Sequence, residues 1–129
     1  MLRFAKYHLP ALLYGALIIV VSTIAYLKSP HIKHIPLDKF AHFFEYAIFA
    51  FLVHRSFSHL SSKIKPGTAL VMSFIFLLIF GIIDESSQRF IPGRDANILD
   101  FLSDQAGAVV MLIVIRLKQP RETGDTADT

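Results

Sequence analysis

Leu9 to Leu27 is a nearly unbroken apolar run of 19 residues, with Lys6 before it and Lys28 after it. About 20 helical residues are needed to cross the hydrocarbon core of a bilayer, where every backbone polar group must be bonded within the segment. The run therefore predicts a transmembrane helix. A cleaved signal sequence is the competing reading, because Arg3 and Lys6 form a basic start. Against it, the run exceeds the usual apolar stretch of about 7–15 residues, and no A-x-A site follows it.

Three further segments follow the same logic. Pro36 can open a helix reaching from Leu37 to about Phe57, although its apolar core, Phe40 to Val53, contains His42 and Glu45. The segment after "KPG" is apolar through Ile83, and Pro92 biases Ile91 away from helix, so this helix can run to Phe90. A fourth runs from about Ile98 to Leu117. The expectation is an all-α integral membrane domain over residues 1–118, four transmembrane helices in a small bundle (about 9–27, 37–57, 68–90 and 98–117). Residues 119–129 read as a polar, solvated tail. Hydrophobic residues make up 53% of the 129, above the usual globular share of about 45–50%.

Composition excludes some chemistry. There is no cysteine, hence no disulfide, thiolate nucleophile or Cys-ligated metal. A net charge of +3, spread over the loops, gives no argument for nucleic acid. No P-loop, dinucleotide fingerprint or Ser-His-Asp elbow is present, and the sequence names no cofactor.

Lys and Arg set the orientation. The N-terminus (Arg3, Lys6), the second connection (Arg55, Lys63, Lys65) and the tail (Arg116, Lys118, Arg121) hold eight, against five in the first (Lys28, Lys33, Lys39) and third (Arg89, Arg94). Both termini are thus expected in the cytoplasm. "DKFAHFFE" and "DESSQRFIPGRDANILD" then meet at the outer face.

Helical residues at i, i+4 and i+7 share a face. Asp38, His42 and Glu45 have that spacing, as do Asp100, Asp104 and Gly107, and Gly81, Glu85 and Gln88, with Asp84 beside them. Acids on three helices are tolerable in a membrane if the stripes face one another around a wet vestibule. Each has a plainer reading. Asp38 can favour the positive end of its helix, and Asn97 with Asp100 resembles an N-cap and its third residue. Asp84 and Glu85 approach a C-terminal end, where the macrodipole disfavours acids, so a cation, a proton or an arginine is expected beside them. Arg94 reads either as a structural partner of Asp95, Asp100 or Glu85 or as a clamp for a phosphate or carboxylate. His42 reads as an interhelical hydrogen bond or as a base, proton relay or metal ligand. The acids match no metal motif. His8, His31, His34, His54 and His59 fall in loops or flanks, where solvation suffices. Gly15, Gly81 and Gly107 are expected at close helix contacts.

"DKFAHFFEYAIFAF", followed by "DESSQRFIPGRDANILDFLSDQAGA", resembles the VanZ-like family of small bacterial membrane proteins, named for a factor associated with teicoplanin resistance. The resemblance rests on Asp38, Lys39, His42, Glu85, Gln88, Phe90, Pro92, Gly93, Arg94, Asp100 and Gly107, from the second helix onward. Where many relatives have asparagine, this chain has Asp104. The resemblance implies a multi-pass protein of the bacterial cytoplasmic membrane, linked to the envelope.

Three functions compete. One is an outward site for an anionic head group, such as a lipid-linked envelope intermediate, built from Asp38, Lys39, His42, Glu45, Glu85, Gln88, Arg94, Asp100 and Asp104, with His42, Glu85 and Asp100 as the candidates for any catalysis. The others are a proton-coupled transporter, which with four helices per chain needs a homo-oligomer, and a non-catalytic accessory subunit.

Overall fold

A computed structural model describes residues 2–24, 37–92 and 96–119. They are all-helical, without strands: α1 Leu2–Tyr7, α2 Leu9–Ser22, α3 Leu37–Ser58, α4 Pro66–Gln88 and α5 Ile98–Lys118. The sequence did not predict α1. It is set off from α2 at His8, and Pro10, with no N–H, cannot continue one uninterrupted hydrogen-bond ladder across the junction.

The ends have local causes. α2 stops at Ser22 rather than Leu27: the Thr23 hydroxyl donates to the Val20 carbonyl at 2.8 Å, and the Ile24 N–H turns back to Val21. Leu27 itself lies outside the described residues. α4 begins at Pro66 rather than residue 68, because proline is pre-shaped for a first turn and its missing N–H would be unbonded there anyway. It ends at Gln88 rather than Phe90, with the Phe90 and Ile91 N–H groups turning back to Ser87 and Gln88. Asn97 caps α5 as expected, its side-chain oxygen accepting from the Leu99 N–H at 3.0 Å.

α2 and α4 run one way, α3 and α5 the other. Ser22 meets Asp84 and His42 meets Asp104 at one end, while His8 meets Ser56 and His54 meets Gln119 at the other. The most extensive packing joins α3 to α5. Tyr46, Phe49, Ala50, Leu77 and Ala108 are buried at its centre, with the Phe49 and Phe80 rings 4.9 Å apart. α5 approaches closest at Gly107, where an added Cβ would fall on the Phe43 carbonyl of α3. Gly81 faces Gln105 and Phe101.

α4 and α5 are long and apolar enough to cross a membrane, yet only 22% of each apolar window is buried. Their outer faces expose Val71, Ile75, Ile79, Ile83, Val110 and Ile113. A soluble core helix would hide such side chains; a continuous exposed apolar surface suits contact with lipid. By length and composition these two helices, not four, meet the requirement among the described residues. α3 has 22 residues but carries Asp38, Lys39, Glu45 and Arg55. The 14 residues of α2 rise about 21 Å, short of a core of about 30 Å.

Candidate functional site

Two rungs join the first turns of α3 and α5. Lys39 bonds Asp38 at 2.8 Å and reaches across to Asp100. One turn deeper, His42 Nδ1 and Asp104 Oδ1 are 2.9 Å apart, and the Asp104 side chain is 1% exposed. The rungs follow from the repeats: steps of three residues in α3 and four in α5 each advance about one turn. With the Asp104 carboxylate accepting, Nδ1 carries the imidazole proton and Nε2 is left as the basic nitrogen. Glu45 lies half-buried about one turn further along α3.

α4 brings its acids to the same end. Asp84, 3% exposed, accepts from the Ser22 hydroxyl at 2.5 Å. Glu85, also buried, accepts through Oε1 from the Asn97 backbone N–H. Among the described bonds these acids meet a hydroxyl and a backbone amide; Arg94, the arginine considered for them, lies outside the described residues. Glu85 does cap a helix, but the following one: it serves the N–H of the very residue whose side chain caps α5. Glu85 Oε2, Gln88 Nε2 and the Tyr46 hydroxyl are buried without a hydrogen-bond partner among the described residues.

Of the residues singled out from sequence, Asp38, Lys39, His42, Asp100 and Asp104 thus form one network, and Glu85 and Gln88 lie buried near the same end, on α4. Arg94 falls outside the described residues, as do Gly93 and Asp95. Sequence reasoning missed Ser22, one of several hydroxyls in an apolar run. It also misplaced His54, which is buried at 7% exposure and bonded to Ser58 Oγ at 3.2 Å. The Ser58 hydroxyl one turn on was the available signal. His8 likewise has a protein partner, Ser56. No three His, Asp or Glu side chains gather closely enough to hold a metal among the described residues.

Beside the two rungs, a groove of about 440 Å³ runs between α3 and α5, lined by Lys39, Phe40, Phe43, Phe44, Leu99 and Leu102. It is apolar along its length and ionic at one end. Between α4 and α5 a smaller cleft of about 200 Å³ is bordered by Glu85, Arg89 and Phe101.

Apolar helices of membrane length, their greasy faces outward and their acids turned inward at one end, define a small helical membrane protein. The chain belongs to the VanZ/LLP1 family, whose model matches residues 5–119. No curated protein and no solved structure matches it significantly.

Proposed function

We propose that this chain crosses a bacterial cytoplasmic membrane four times with both termini inside, and that its acidic end faces outward to receive the anionic head of a membrane amphiphile. The head is a phosphate or carboxylate, as on a lipid-linked envelope intermediate. The observation that carries this reading is the α3–α5 groove: an apolar channel for a lipid chain that ends at an ammonium. An ammonium has three donors, and Asp38 and Asp100 occupy two. The third is available to the head group. The His42–Asp104 pair stands one turn below, with Nε2 as a proton acceptor.

Orientation is supported by charge. The opposite end carries Arg3, Lys6, Arg55, Lys63, Lys65, Arg116 and Lys118, and no acid among the described residues. Such an excess marks a cytoplasmic face.

Two measurements test the proposal. Lys39→Gln should weaken binding of radiolabelled polyprenyl phosphate to the purified protein about tenfold or more, the worth of a charged hydrogen bond. Unchanged affinity in a normally folded variant sinks the head-group site. Because the chain has no cysteine, Ile98→Cys alone should react with an impermeant maleimide on intact cells, and Lys63→Cys only after permeabilisation. The reverse pattern would invert the topology.

A further inference from the structure

We infer a second lipid site at the basic end of the bundle, in which an anionic phospholipid of the inner leaflet lays one acyl chain against α2, α3 and α4 and sets its phosphate among the cations around Tyr7. A cleft of about 320 Å³ lies there, lined by Phe4, His8, Leu12, Phe49, Phe57 and Phe76. Along α3 it extends from Phe49 to Phe57, a rise of about 12 Å, and Leu60 lies just past the end of that helix. Half of a hydrocarbon core of about 30 Å is about 15 Å, so the cleft reaches most of the way through one leaflet.

Its mouth is built from polar and basic groups. His8 Nδ1 and Ser56 Oγ share a hydrogen bond of 2.7 Å, and both line the cleft. The adjoining Tyr7 ring stacks on His59 with centroids 3.7 Å apart. Lys6 Nζ lies 5.1 Å and Arg55 Cζ 5.3 Å from the same ring. Tyr7 thus holds three cationic or cation-forming side chains; it and Arg55 are the chain neighbours of His8 and Ser56, the polar pair that lines the slot.

Charge decides the occupant. A second copy of the chain docking through this face would set Lys and Arg against Lys and Arg. A zwitterionic lipid would fill the slot without using the surplus positive charge. An anionic phospholipid satisfies both parts, since basic pockets between membrane helices bind acidic head groups and each nearby Lys or Arg adds to that attraction.

The site rests on the membrane reading above, but not on the head-group site at the other end. The test uses the full chain in vesicles of equal phosphatidylcholine and phosphatidylglycerol, with spin-labelled analogues of each lipid reporting the immobilised fraction. The wild type should immobilise phosphatidylglycerol preferentially. Arg55→Gln should lower that preference about fivefold, as should Lys6→Gln. Leu12→Trp, at an exposed position bordering the cleft, should abolish it by filling the slot while leaving the thermal melt unchanged. Equal immobilisation of both lipids, or a preference surviving all three changes, overturns this site alone. Extraction of the protein by alkaline carbonate overturns the membrane reading and this site with it.

Discussion

Gly107→Ala should separate α3 from α5 and cost more than 3 kcal/mol, the upper end of about 1–3 kcal/mol usual for an overpacked core. The usual figure applies when a side chain can swing aside. Here the obstacle is the Phe43 carbonyl, part of the α3 backbone, which cannot rotate away without breaking its own helix. The helices must part instead, and the fully buried Tyr46 and Ala108 lose their packing with them. A thermal melt in detergent reads the effect. Gly67→Ala is the control: nothing lies within 4 Å of its added Cβ, so the melt should stay put or rise slightly. If both variants melt like the parent, the two helices are not held together at this crossing.

The second large effect is expected for His42→Ala. Asp104 is almost fully buried and loses the imidazole that bonds it. Two magnitudes compete. An interhelical hydrogen bond in a membrane protein averages about 0.6 kcal/mol and reaches about 1.7. Leaving a buried polar group without its partner costs about 1–3 kcal/mol, and more when the group is charged. The burial of Asp104 favours the second, and a loss of about 3 kcal/mol is expected. Adding Asp104→Ala to His42→Ala should recover part of that loss, a coupling that independent sites do not show. Asp104→Asn keeps an acceptor for Nδ1–H and should melt close to the parent. A loss below about 1 kcal/mol for His42→Ala would make the contact an ordinary packing bond.

The faces that carry His42, Asp100 and Asp104 were legible in the sequence because they are periodic; Lys39 was counted with a loop, and its reach to Asp100 was not foreseen. Asp38 to His42 and Asp100 to Asp104 repeat at one helical turn, and a shared face follows from geometry alone. Gly107 was legible for the same reason, as a small residue continuing such a stripe. What escaped was not periodic. Ser22 stands beside Thr23 near the end of an apolar run, and its pairing with Asp84 depends on how α2 leans on α4. The dipole argument for Glu85 considers only its own helix, and the Asn97 amide that it meets belongs to the next one. His54 was placed with the solvated histidines because charge and polarity rise around it, yet the bundle closes over it. Four long helical segments were visible in the apolar runs. The break at His8 was not, since a proline at the second residue of a helix leaves the hydropathy pattern unchanged. The quoted resemblance began at the second helix, whereas the family match begins at residue 5 and takes in half of α1 and all of α2.

The parallel run of α3 and α5 has a consequence for how the chain is made. Lys39 and Asp100 are 61 positions apart, and His42 and Asp104 are 62. At about 5–20 residues per second, a ribosome delivers the acids roughly 3–12 s after their partners. On the membrane reading, α3 arrives at the bilayer with four charged side chains, Asp38, Lys39, Glu45 and Arg55, and spends that interval without α5 against it. Its insertion is then provisional until the last helix emerges, and the tightest contact in the finished protein is also the last that synthesis permits.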